Sequence, residues 1–190
     1  PIVRAALVHY QFETAHPFLD GNGRLGRLLI TLMLINDGVL HSCLFYPSFQ
    51  FKKNRSEYYR QLTSVRERGA YEEWIEFFCN SLLESAEDSV GSLKNLVDLH
   101  NRSTATITEN LGRTAANGQR LLGILEEHPI VDTAFIAAQL DIGRSTASSL
   151  VKSFEELGIL RPLDESRQRY RQYGYEEYLS ILREDAEPIR

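Results

Sequence analysis

One short stretch constrains this chain more than any other. Residues 16–27 read His-Pro-Phe-Leu-Asp-Gly-Asn-Gly-Arg-Leu-Gly-Arg, and an apolar run over residues 28–35 follows without a break. The run has apolar side chains all round, which predicts a buried helix that begins near Asn22 and stops at a left-handed Gly38. A helix start exposes backbone N–H groups and carries the positive end of the helix dipole. The stretch therefore predicts a helix whose first turn binds an anion.

The charged residues of this stretch match such a site. Arg24 and Arg27 are three residues apart, so they share one face of the predicted helix. Asp20 precedes the first glycine, and His16 lies a few residues upstream. A phosphate, its metal ion and a base would all find a partner here. Each residue also has an ordinary alternative: a histidine bonded only to its own loop, an aspartate that caps the helix, and two arginines on a solvated face. The apolar character of the remaining helix argues against the last of these.

Composition sets the outer limits. The chain has 190 residues, 43% apolar and 25% charged, which is enough for one large or two small packed domains. A net charge of −5 argues against a chain that coats nucleic acid. No apolar run reaches the roughly 18 residues of a membrane span, so no membrane partner is expected. Cys43 and Cys79 are too few for a disulfide framework or a metal knuckle, and we expect a reducing, cytoplasmic location.

The periodicity of apolar residues predicts a mainly α fold in the first part of the chain. Helices are expected over residues 2–14, 22–37, 49–68 and 70–110, the last as one helix or a helix pair that also serves as a connector. In the third of these, the predicted inner stripe consists of Tyr58, Tyr59, Leu62 and Val65.

From about Asn117 the pattern changes. The expected elements are a helix over 119–127, a short strand at 130–131, a helix capped by Asp132 or Thr133 and ending at Leu140, a helix over 144–157, two hairpin strands at 159–162 and 168–173, and a helix over 175–183. A helix, a tight turn, a helix and a β-hairpin follow one another in a winged helix-turn-helix. The sequence therefore predicts such a domain, with a small β-hairpin wing, over residues 117–190.

The residues of the first stretch carry a family resemblance. They match the whole signature H-x-F-x-D/E-G-N-G-R-x-x-R of the Fic family, through His16, Phe18, Asp20, Gly21, Asn22, Gly23, Arg24 and Arg27. The residues before it, 9–13, and the segments 54–59 and 74–75 after it are also similar to the family. The resemblance covers residues 1 to about 85. It implies that residues 1–110 are the C-terminal part of a Fic catalytic core with its helical connector.

Most Fic proteins transfer AMP from ATP to a hydroxyl side chain (Ser, Thr or Tyr) of a target protein, and the resemblance implies the same here. His16 would act as general base, and Asp20 would bind Mg²⁺ or Mn²⁺. Gly21 and Gly23 would let the backbone approach the phosphates, while the Asn22 amide would stabilise oxyanion charge.

Further roles follow from the resemblance. Arg24 and Arg27 would hold the outer phosphates, and Phe18 would anchor the loop in the core. Tyr58 and Tyr59 would line the adenine end of the site, as the resembling positions do. The alternative for these two tyrosines is that their helical spacing places them in the core.

Two features of the family are expected elsewhere. Its inhibitory helix has the pattern S/T-x-x-x-E-G/N, but the only Glu here that precedes Gly or Asn is Glu109, and the residue four positions before it is Ala105. If the parent protein has this helix, we expect it upstream of Pro1, together with the β-hairpin flap that holds the target in the family. The chain is then a fragment and an incomplete enzyme.

Alternatives remain open at this level. Some relatives transfer UMP, phosphocholine or the γ-phosphate, and a nucleotide-responsive transcriptional regulator is a third possibility. The second predicted domain has a polar helix face and three alternating arginines on its wing, which favours DNA. Residues 117–190 nevertheless carry 13 acidic and 9 basic side chains, which favours docking of a protein, and a homodimer is also possible. The wing arginines are Arg167, Arg169 and Arg171.

Overall fold

The computed structural model describes residues 1–41, 47–164 and 171–184. Its secondary structure is mainly helical with a small antiparallel sheet, which confirms the predicted fold class. The described residues divide into two compact units, 1–91 and 92–184. Cys43, Arg167, Arg169 and the first half of the predicted strand at 168–173 lie outside the described residues.

The first unit consists of helices. These are α1 (Ile2–Ala15), α2 (Asn22–Asn36), α3 (Ser48–Lys53), α4 (Arg55–Arg68) and the part of α5 (Tyr71–Asn110) that precedes residue 92. The helix predicted over 49–68 is thus two helices. They meet at Asn54, whose backbone (φ −101°, ψ 35°) leaves the helical region. Asparagine is a weak helix former, which agrees with a break at this position.

Aromatic side chains fill the core of this unit. Trp74 is fully buried, and its indole N–H donates to the backbone oxygen of Ala6 at 3.0 Å, which ties α5 to α1. Phe78 of α5 packs against Trp74, and Phe51 of α3 packs against Phe78. Large rings bury much apolar area per residue, so a few of them suffice for a small helical unit.

Helix α2 begins and ends where the sequence predicts, with Gly21 before its first residue and Gly38 left-handed at φ 69°. The prediction that it is buried all round is wrong. One face, with Gly26 and Ile30, packs inward, whereas three leucines of the other face are 40–52% exposed. The exposed leucines are Leu25, Leu28 and Leu32. Composition identifies an apolar helix but not which of its faces has a partner.

The second unit follows the predicted order of elements. After α5 come α6 (Ala115–Glu127), β1 (Ile130–Asp132), α7 (Thr133–Leu140), α8 (Arg144–Glu156), β2 (Arg161–Pro162), β3 (Gln172–Gly174) and α9 (Glu176–Glu184). The three strands form an antiparallel sheet in the order β1-β3-β2, with Ile130 and Arg161 both opposite Gly174.

Local signals position α7 and α8. The Asp132 carboxylate accepts the N–H of Phe135 at 2.7 Å and so caps α7, as the sequence predicts. Asp141 is left-handed at φ 54° and turns the chain from α7 into α8. The core between these helices is apolar, with Ile136, Leu150 and Phe154 almost fully buried. The assignment of this unit to the winged helix-turn-helix domains stays a prediction.

Across the described ranges, the helices are either too short or too polar to pass through a lipid bilayer. This includes α5, which is 40 residues long but carries many charged side chains.

Candidate active site

His16 marks the end of α1. Its backbone is left-handed (φ 44°, ψ 55°), and its N–H donates to the backbone oxygen of Phe12 at 3.0 Å. Histidine is one of the few residues other than glycine that adopt this conformation at modest cost. The residue is exposed rather than packed inside. Its imidazole is therefore accessible to a substrate.

Asn22 closes the loop that follows. Its side-chain oxygen accepts the N–H of Phe18 at 2.9 Å, and its amide nitrogen donates to the Phe18 backbone oxygen at 2.6 Å. Asn22 is 2% exposed, so these bonds are protected from water. This side chain positions the loop, and the oxyanion role stays a prediction.

The Phe18 prediction is wrong. Its ring is 52% exposed and contacts only the edge of the core, with its centroid 6.4 Å from that of Phe12. The loop is held by the backbone of this residue through Asn22, and not by insertion of the ring.

The N-terminus of α2 follows the geometry expected of an anion site. Gly21 has φ 83°, a conformation that side chains disfavour. The first hydrogen bond of the helix runs from the Leu25 N–H to the Gly21 oxygen at 3.0 Å. The N–H groups of residues 22–24 consequently have no carbonyl partner within the helix. They provide donors for a phosphate at the positive end of the dipole.

Arg24 and Asp20 lie at the outer edge of this site. An Arg24 terminal nitrogen is 3.4 Å from an Asp20 carboxylate oxygen, and both side chains are largely exposed. Such exposed pairs contribute little to stability, so each partner can exchange the other for a ligand. The helix is capped by Gly21, with no side-chain hydrogen bond. Asp20 thus does not take the alternative role of a helix cap.

Arg27 lies along the inner edge. A Cβ atom on Gly23 would lie 3.2 Å from one of its terminal nitrogens, so the missing side chain of Gly23 makes room for this guanidinium. The Nε atom of Arg27 is buried, and no hydrogen-bond partner for it exists among the described residues. A guanidinium with one unpaired buried nitrogen therefore lies beside the start of α2.

This geometry agrees with comparisons to known proteins. Residues 1–34, which contain α1, the loop and most of α2, match the model of the Fic/DOC family. The chain is 34% identical over 98 residues to the protein adenylyltransferase fic-1 of Caenorhabditis elegans and 40% identical over 67 residues to the protein adenylyltransferase Fic of Drosophila grimshawi. These alignments cover 52% and 35% of this chain, but only 18% and 13% of the two relatives.

A buried polar layer lies beneath the Fic/DOC loop. The Nδ1 atom of His9 is 2.9 Å from the Gly26 backbone oxygen, and its Nε2 is 2.9 Å from the Tyr58 hydroxyl. Because a carbonyl only accepts, Nδ1 carries the proton and Nε2 accepts from Tyr58. Burial lowers the pKa of His9 to about 4, so the ring is neutral at pH 7. Sequence reasoning missed His9 as part of this region.

The two candidate tyrosines lie in different environments, one buried and one exposed. Tyr58 is 4% exposed and bonded to His9, and burial raises the pKa of its hydroxyl. It takes the core alternative, so it cannot line a nucleotide pocket. Tyr59 is 53% exposed, which removes it from the predicted inner stripe. Its ring packs edge-on against Tyr58 with the Arg55 guanidinium 5.7 Å from its centroid.

Glu13 and Gly26 are further residues that sequence reasoning missed. Glu13 is 8% exposed, and a Cβ atom on Gly26 would collide with its Oε1 and lie 3.1 Å from the His9 ring. α1 and α2 therefore cross in close contact at Gly26. A signal was available: Ala6, Tyr10 and Glu13 share one face of α1, so the glutamate follows two apolar residues into the interior.

The side chains that could bind a metal ion are the last feature of the site. In the ranges 1–41, 47–164 and 171–184, no three His, Cys, Asp or Glu side chains are close enough to hold one. Near the start of α2, Asp20 supplies an exposed carboxylate. Mg²⁺ is commonly bound by one or two carboxylates together with substrate phosphates and water, so a single exposed aspartate fits a metal that arrives with a nucleotide.

Proposed function

We propose that the chain is part of a protein adenylyltransferase, which transfers AMP from Mg²⁺–ATP to a hydroxyl side chain of a target protein. One observation carries the proposal: an exposed histidine ends α1, and the helix that begins six residues later has unpaired N-terminal amides and two arginines along its glycines. The relatives named above support the same activity. Since they are matched over a small part of their length, the activity of the whole protein is inferred here.

His16 has the role of general base. It accepts the proton of the target hydroxyl while the hydroxyl oxygen attacks the α-phosphorus of ATP. A new phosphorus–oxygen ester bond forms, the bond to the β-phosphate oxygen breaks, and pyrophosphate leaves. An exposed imidazole, which can accept a proton through a ring nitrogen, suits this proton transfer.

The other residues bind and orient the nucleotide. The amides of residues 22–24 and the Arg24 and Arg27 guanidiniums surround the position of the triphosphate. Asp20 would hold the metal ion, which neutralises phosphate charge when bound. Asn22 acts through the Phe18 backbone, because its hydrogen bonds fix the loop that carries Asp20. Tyr59 stays a candidate for the adenine end, whereas Tyr58 is not one.

For the second unit we propose docking of a protein or selection of the target. The outer face of α8 is exposed and polar, which suits either a protein or DNA. Lys152 on this face lies 3.7 Å from Glu156, so part of its charge is already compensated. The acidic balance of residues 117–190 favours a protein partner. The exposed residues of this face are Ser145, Thr146, Ser148, Ser149 and Lys152.

The decisive experiment is a labelling assay with the full-length protein. His16→Ala is expected to abolish transfer of labelled AMP to targets in a lysate, because it removes the proposed acceptor of the hydroxyl proton. His41→Ala, which removes an exposed histidine just after α2, is the matched control and should label normally. Undiminished labelling by His16→Ala would contradict the general-base role.

The donor and the metal are tested separately. Intact-mass analysis of a modified target distinguishes AMP from UMP, phosphocholine and phosphate, and an adduct other than AMP would overturn the proposed reaction. Calorimetry with Mg²⁺–ATP should show that Asp20→Ala loses the metal-dependent part of binding. An unchanged metal dependence would remove Asp20 from the metal site.

A further inference from the structure

Four buried side-chain atoms in the described part of the first unit lack hydrogen-bond partners: three acceptor oxygens, on Glu13, Asp37 and Gln50, and one donor nitrogen, on Arg27. The Oε1 atom of Glu13 is an acceptor, and the Nε of Arg27 carries a donor hydrogen. Buried polar groups are almost always paired, so each unpaired one calls for an explanation. The Glu13 oxygen can accept the hydrogen bond that the Nε–H of Arg27 can donate.

Packing brings the two residues together. Glu13 comes from α1 and presses against Gly26 of α2, the residue directly before Arg27. Arg27 extends from there back toward Gly23 at the start of its helix. The Arg27 side chain therefore begins next to the residue that contacts Glu13 and ends at the N-terminus of α2, where the phosphate is proposed to bind.

The electrostatics point the same way. Burial raises the pKa of the Glu13 carboxyl, and the charge of Arg27 is the strongest influence opposing that rise, ahead of those of His16 and Arg66. His9 and the Tyr58 hydroxyl also face this region from α1 and α4. Among these groups, Arg27 is the one whose buried donor has no acceptor, since the donors of His9 and Tyr58 are already paired.

We propose that Glu13 is the positioning residue of Arg27: its buried carboxylate accepts the Nε–H and thereby aims the terminal N–H groups at a phosphate bound on the α2 N-terminus. A guanidinium presents five donors in a rigid fork, so fixing one edge directs the others. The inference rests on the proposed phosphate site for its functional part, whereas the pairing itself is a property of the chain alone.

The test is a double-mutant cycle in the full-length protein, with Mg²⁺–tripolyphosphate as the probe and calorimetry as the readout. Glu13→Ala should weaken binding about tenfold, the effect of losing a charge-assisted hydrogen bond. In an Arg27→Ala background the same change should have almost no effect. Glu13→Gln keeps the acceptor oxygen and should recover most of the binding. Equal losses in both backgrounds would overturn the proposal, because they would show that Glu13 does not act through Arg27.

A second measurement needs no phosphate. Titration of the Glu13 carboxyl by NMR should give a higher pKa in Arg27→Ala than in the wild type. The matched control is Arg24→Ala, which removes a neighbouring charge without a link to Glu13 and should leave this pKa nearly unchanged. If the wild type binds no tripolyphosphate, the proposed function fails and the titration still decides the pairing. A Glu13 pKa indifferent to Arg27 would overturn the pairing even if tripolyphosphate binds.

Discussion

The two units differ in what they bury. In the first, polar side chains from α1, α2, α3 and α5 lie in the interior, whereas Ser103 is the one polar residue buried in the described part of the second. The core of the second unit is built almost entirely of aliphatic residues and a few rings. The buried polar residues of the first unit are His9, Glu13, Asn22, Thr31, Gln50, Ser81 and Ser85.

The difference coincides with the candidate site. Glu13, His9 and Asn22 lie directly beneath or within the loop that carries the Fic/DOC signature, and Glu13 retains an unpaired atom. Natural proteins depart from the rule of an apolar, fully satisfied core mainly where function requires it. In the described part of the second unit one unpaired buried atom remains, the hydroxyl oxygen of Thr104, and it belongs to an uncharged side chain. This contrast indicates that the first unit gives up stability for a prearranged polar site.

The largest expected effect is a loss of stability of the first unit at low pH. Since the pKa of His9 is about 4 in the folded state and 6.5 in the unfolded state, the unfolded chain binds more protons between these values. Stability should therefore fall by about 3 kcal/mol as the pH drops from 6.5 to 4. Glu13, whose pKa is raised, acts in the opposite direction. Urea unfolding of the wild type and His9→Phe at several pH values isolates the histidine, because the variant lacks this titration. If the free energies of unfolding of the two proteins depended on pH in the same way, His9 would not be the cause of the acid sensitivity.

A smaller effect is expected at the helix crossings. Gly26→Ala should destabilise the first unit by about 1–3 kcal/mol, since the new methyl group meets a buried carboxylate and imidazole. Gly118→Ala in the second unit meets the ends of the Ile107 and Leu111 side chains at 2.8 Å, which are apolar and able to shift, so its cost should be lower. Gly123→Ala has open space and is the control, expected to stabilise α6 by about 0.5–1 kcal/mol. Denaturant midpoints measure all three. A greater loss at Gly118 than at Gly26 would contradict the idea that the polar crossing is the more constrained one.

The smallest effect tests the second unit alone. Asp132→Ala removes the cap of α7 and should cost about 1 kcal/mol. Asp132→Ser retains a capping oxygen and should lose much less. Thermal unfolding followed by circular dichroism gives both values. Equal destabilisation by the two variants would show that the carboxylate acts by a route other than the cap.

Much of this protein follows from local signals in the sequence. The start of α2, its stop at Gly38, the Asp132 cap and the turn at Asp141 each depend on a few neighbouring residues, and the structure places them where the sequence predicts. The same holds for the exposed His16 and for the two arginines beside the glycines. These features depend on backbone conformations that only certain residues adopt, so the sequence is sufficient to predict them.

Other features depend on partners distant in the chain, and only the tertiary structure decided them. The helical spacing of Tyr58 and Tyr59 could not show that one bonds to His9 while the other faces solvent. Composition could not show that α2 buries only one face. The Glu13 carboxylate is buried against Gly26 because helices α1 and α2 cross at close range. Burial and pairing arise from contacts between elements, and periodicity within one element does not specify which neighbour it will meet.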